Sequence, residues 1–94
     1  MNVTEIQLTG TMDKKTGRPI AVASISKNRT GDYLTVQIDT GSPLTPEIRE
    51  HKVEINNEDD LFSMAQCLHF QLEGRKGSNS EIHDYYRLLQ YFIQ

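Results

Sequence analysis

Apolar and polar positions alternate with a period of two through the first half of the chain and recur every three to four residues through the second half. The clearest alternation sets Leu34, Val36 and Ile38 against Thr35, Gln37 and Asp39, predicting a strand with one face on a core. An earlier strand is expected over about residues 3–9, where Ile6 and Leu8 alternate with Glu5, Gln7 and Thr9. Between them, residues 20–27 place Ile20 and Val22 on one face and Ala21, Ala23 and Ile25 on the other, as a central or bulged strand does. A fourth strand is expected at about residues 50–55, with Val53 and Ile55 inward and Lys52 and Glu54 outward. The intervening segments carry turn chemistry. Residues 14–19 include Gly17, free to take positive φ; residues 28–32 read as a hairpin loop; residues 40–46 hold two prolines, which bar a central strand.

The period then changes. Asn56 or Asn57 caps a helix whose first turn holds Glu58, Asp59 and Asp60, favourable at the positive end of a helix dipole. Leu61, Met64, Ala65, Leu68 and Leu72 form its apolar stripe, and Gly74 ends it. Ser78 and Glu81 have capping-box spacing, with Ser80 as a competing cap. The last helix sets Ile82, Tyr85, Tyr86, Leu89, Phe92 and Ile93 on one side. The expected fold is therefore α+β: a four-stranded antiparallel sheet followed by two helices on one face, order ββββαα, in a single domain over residues 1–94. Its other sheet face is expected to be wet, presenting Gln7, Thr35, Gln37, Lys52 and Glu54.

Composition narrows the classes. No apolar run approaches the ~20 residues that cross a bilayer, and the first residues lack the basic and apolar regions of a signal peptide. The one cysteine, Cys67, has no partner for a disulfide. These features point to a cytoplasmic protein with no membrane partner, and leave the sequons at Asn2 and Asn28 without meaning. The net charge of −3 is uneven. Residues 1–30 carry five basic and two acidic groups, giving +3, and residues 31–94 carry five basic and eleven acidic groups, giving −6.

Few motifs suggest chemistry. The string from Leu34 to Ser42 contains Asp39-Thr40-Gly41 at the end of an apolar strand, and Arg18 to Val22 precedes it. This stretch of about 25 residues resembles the signature of retroviral-type aspartic proteases. The resemblance implies a dimeric enzyme in which two such aspartates share a proton. Beyond Gly41 the sequence departs from that pattern. No glycine-rich flap follows, and the nearest later glycine, in Leu72-Glu73-Gly74-Arg75, has glutamate where the pattern requires an apolar side chain. Ser24 and Lys27 have Ser-x-x-Lys spacing, but on an expected strand and without companion motifs. His51, His69 and His83 stand apart and read as scattered surface or half-buried side chains, and Cys67 reads as packing. No phosphate-binding glycine loop exists, so no cofactor or metal is expected.

Two surfaces remain. Lys14, Lys15, Arg18, Lys27 and Arg29 offer phosphate contacts to a nucleic acid, but in a meander their two loops lie at opposite ends of a strand. Phe70 and Tyr91 point away from the apolar stripes of their helices, with Phe62 flanking Phe70. The favoured expectation is a small non-enzymatic binding or regulatory protein: an inhibitor, adaptor or accessory subunit, of a kind that phages and mobile elements encode. It would act on a larger intracellular protein through Phe62, Phe70 and Tyr91. A homodimer is compatible with this reading, and a nucleic-acid partner is its second form.

Overall fold

The computed structural model describes residues 4–94. In chain order the elements are β1 (Glu5–Thr9), β2 (Met12–Asp13), β3 (Arg18–Pro19), β4 (Val22–Lys27), β5 (Tyr33–Asp39), β6 (Ile48–Glu54), α1 (Glu58–Glu73) and α2 (Asn79–Ile93). The main sheet has the order β1-β4-β5-β6 with every neighbour antiparallel, and both helices follow it. The expected ββββαα architecture is thus the observed one. The expected start of the first strand at Val3, and the Asn2 sequon, lie outside the described residues.

Strand order explains the two-sided character of residues 20–27. β4 is central, with β1 on one side and β5 on the other, and Ala21, Ala23 and Ile25 are buried under the helices. Leu34, Val36 and Ile38 on β5 complete that inner face, each 2% exposed or less. The turn expected at residues 14–19 proves to be a further small hairpin, in which Met12 and Asp13 pair with Pro19 and Arg18. Gly17 takes φ 69° in its bend.

The last strand begins earlier than its apolar pattern suggests. In register, Arg49 lies opposite Ile38, His51 opposite Val36 and Val53 opposite Leu34, so all three share the inner face. Only Val53 is buried; Arg49 and His51 remain exposed on the same face. Ile55, expected inward on the strand, follows it and is half-buried.

Asn57 caps α1 by accepting the Asp60 N–H, at 3.1 Å, and Gly74 closes the helix at φ 72°. Ser78 and Glu81 form the capping box of α2, so Ser78 rather than Ser80 is the cap. α1 lies on β6 and β4, while α2 packs along α1. Leu61, Met64, Ala65, Leu68 and Leu72 meet Ile82, Leu89 and Phe92 in one continuous core with the sheet.

Candidate functional site

The outward side of the helical layer is built by residues that the core does not take up. Phe70 follows Leu68 by two positions and Tyr91 follows Leu89 by two, a rotation of about 200° from a fully buried side chain. Both rings accordingly face away from the core, Phe70 at 50% and Tyr91 at 82% exposure. Phe70 is therefore not buried between the helices. The two rings stand at different levels. His69 faces Glu81 and Tyr85 across the seam, so Tyr91 lies six or more residues farther along α2 than the segment beside Phe70. That places them about 10–15 Å apart along the layer.

Phe62 behaves differently. It is half-buried on the seam, with its ring edge-on to His83 at 5.5 Å and to Tyr86 at 5.8 Å between centroids. His83 and Tyr86 extend the aromatic surface in a way the periodicity did not single out. His83 was legible only as an isolated histidine, and Tyr86 only as part of the core stripe.

His69 corrects the expectation of scattered, partly exposed histidines: it is 2% exposed and sits between the helices. Its Nδ1 lies 3.1 Å from the Arg75 carbonyl oxygen and its Nε2 3.2 Å from Glu81 Oε2. Both partners are acceptors, so each contact is made by whichever ring nitrogen carries a hydrogen. Arg75 also pairs with the Glu81 carboxylate. Arg75 and the Ser78 N–H, followed by His69 and the Ser78 hydroxyl, hold the Glu81 carboxyl well below the usual carboxylate range. On the other side Tyr85 donates to Glu73 at 3.0 Å, and Thr11 donates to the same carboxylate at 2.8 Å. Burial and the Glu73 contact push the Tyr85 hydroxyl up to about 12. This network ties the end of α1 to the start of α2 and to the corner after β1.

Other singled-out residues are held apart. Asp39 Oδ1 accepts the Gly41 N–H at 2.9 Å and the Glu47 N–H at 3.4 Å, which folds residues 40–47 back on the strand end. Leu72 to Gly74, the stretch that holds the nearest later glycine, forms the last turn and cap of α1. Lys14, Lys15 and Arg18 are exposed on the β2–β3 hairpin, and Arg29 is exposed at the opposite end of β4. Lys27 is not a free loop cation: it ends β4 half-buried, with Nζ 5.1 Å from the centroid of the Phe92 ring. Ser24 lies on the open sheet face, opposite to Lys27. Burial pushes the Cys67 thiol up against the weaker opposing pull of Arg49.

Among the described residues no group of three or more His, Cys, Asp or Glu side chains is arranged to hold a metal, and no helix is long and apolar enough to cross a membrane. A groove of about 630 Å³ lies between the β4–β5 turn and the start of α1, lined by Asp32, Tyr33, Glu54 and Glu58 among others. Comparison with protein-family models, with curated proteins and with solved structures gives no match.

Proposed function

We propose that the chain is a non-enzymatic binding module. It presents the outward side of its helical layer to a larger intracellular protein, as an inhibitor, adaptor or accessory subunit does. The observation that carries this reading is the exposure of two aromatic rings, Phe70 and Tyr91, directed away from the core on neighbouring helices. Large aromatic side chains anchor protein interfaces more often than other types, because they exclude much water for few lost rotors. The Phe62, His83 and Tyr86 cluster lies on the same layer and offers a firm base beside them.

Capture from nuclease-treated lysate at low and high salt, with the parent chain and with Phe70→Ala and Tyr91→Ala, tests the proposal. Each substitution should weaken the partner contact by about 1–3 kcal/mol. Tyr91→Ala should leave stability within about 0.5 kcal/mol. Phe70→Ala should cost about 0.8–1.5 kcal/mol, half the value of a fully buried ring. A partner that both variants retain at parental strength would refute this surface. One lost on nuclease or salt treatment would favour the cationic β2–β3 hairpin and a nucleic acid instead.

A further inference from the structure

The β6 edge carries a pattern unrelated to the helical surface. Two bonds at the ends of the β5–β6 ladder fix its phase: Thr40 N–H to the Glu47 carbonyl at 3.0 Å, and Ile55 N–H to the Asp32 carbonyl at 2.9 Å. Bonded and non-bonded pairs alternate in an antiparallel ladder. Arg49, His51 and Val53 therefore spend their backbone groups on β5. Ile48, Glu50, Lys52 and Glu54 turn theirs outward, into an edge that no strand among the described residues occupies. The side chains of these four stand on the open sheet face. Neither Glu50 nor Lys52 forms an ion pair among the described residues.

We infer that β6 pairs antiparallel with β6 of a second copy of this chain, about a two-fold axis through His51, joining two sheets into one of eight strands. Charge and overlap together select this register. The outward-directed residues can meet only one another. Centring the pair on Glu50 sets glutamate against glutamate. Centring it on Lys52 sets lysine against lysine and Glu50 against Glu54. Centring it on His51 sets Glu50 against Lys52 and Lys52 against Glu50, two attractive pairs, with Ile48 against Glu54 beside them. Centring the pair on Val53 also sets Lys52 against Glu54 twice, but the two strands then overlap only over residues 52–54, because β6 ends at Glu54. Directly opposed like charges destabilise a sheet and opposed unlike charges stabilise it. On the other face the two His51 rings meet at the axis and Arg49 lies opposite Val53; His51 and Arg49 are exposed, which leaves that face open at the axis. The β1 edge turns Glu5, Gln7 and Thr9 outward and has no such complementarity. An isologous pairing of this kind closes on itself and does not propagate.

Sedimentation velocity between about 10 µM and 1 mM should show a concentration-dependent dimer. In that dimer, hydrogen exchange should slow at the Glu50 and Lys52 amides relative to dilute protein, while the His51 amide, already bonded to β5, changes little. Glu50→Lys and Lys52→Glu should each weaken association by about tenfold or more, since each puts like charges together twice. The double variant Glu50→Lys/Lys52→Glu should restore it, and an equimolar mixture of the two single variants should form a mixed dimer. A chain monomeric throughout that range overturns the inference. So does a dimer with freely exchanging Glu50 and Lys52 amides, or single variants that associate as the parent does. Exchange in the parent decides the matter if a variant fails to fold.

Discussion

Replacing Gly77 by alanine would place a Cβ 2.8 Å from Cε1 and Nδ1 of His69 and 2.9 Å from Cδ2. The backbone permits alanine there, since Gly77 is not among the positive-φ glycines, so the whole penalty arises from contact with the ring. That ring has little freedom to retreat: it is 2% exposed and held through both nitrogens, by the Arg75 carbonyl and by Glu81. Gly77→Ala should therefore destabilise the fold by about 1–3 kcal/mol, the usual range for overpacking. His69→Ala removes the obstacle but leaves a void and strips the ring's contacts from the Arg75 carbonyl and from Glu81, for a loss of about 3–5 kcal/mol. A domain of this length has about 5–14 kcal/mol in all. In the double variant the new methyl enters the space the ring vacated, and the two losses should fall short of their sum by about 1–3 kcal/mol. Urea or thermal unfolding of the four proteins measures this directly, at about 4–8 °C in Tm per kcal/mol. Losses that add within about 0.5 kcal/mol, or a neutral Gly77→Ala, would show that His69 does not pack as described.

Glu81, held below its ordinary value near 4.5 chiefly by Arg75, contributes stability that is full above that value and is lost as the pH falls toward its own lower titration. Glu81→Gln keeps the capping-box geometry and removes the charge, so thermal melts from pH 6 downward should show a shallower acid decline than the parent; an unchanged slope would assign the acid sensitivity elsewhere. Asp39→Asn keeps an oxygen for the Gly41 N–H and should alter stability by no more than about 0.5 kcal/mol. The same variant tests the non-enzymatic reading: peptide cleavage at pH 4–6 that asparagine abolishes would overturn it.

Much of the fold was legible because most elements satisfy their local preferences and the global packing together. β5 alternates cleanly, Asn57 and Ser78 stand where caps belong, and Gly74 closes α1. Legibility failed where a neighbour supplied the deciding contact. The first half of β6 places arginine and histidine on the inner face, at a site the helices leave uncovered, so no apolar period marks it. The β2–β3 hairpin has two residues a side, too few for any period to register. His69 is buried because a carbonyl six residues on and a carboxylate twelve residues on receive its nitrogens, a pairing only the folded seam creates. The exposure of Phe70 and Tyr91 was readable from helical phase; the half-burial of Phe62 against His83 and Tyr86 was not.

The placement of all the strands before both helices has a consequence for the chain as it is being made. The inner face of the sheet, with Ile25, Leu34, Val36 and Ile38, leaves the ribosome before any residue that covers it. The lid also closes late onto the earliest segment, since the Thr11 N–H donates to the Leu72 carbonyl at 2.8 Å. At about 5–20 residues per second, the stretch from Leu61 to Phe92 takes about 2–6 s to synthesise. For that interval the nascent sheet shows water an oily face and two unpaired borders. A holding chaperone that grips bare aliphatic surface should find this polypeptide during translation and release it once the second helix has emerged.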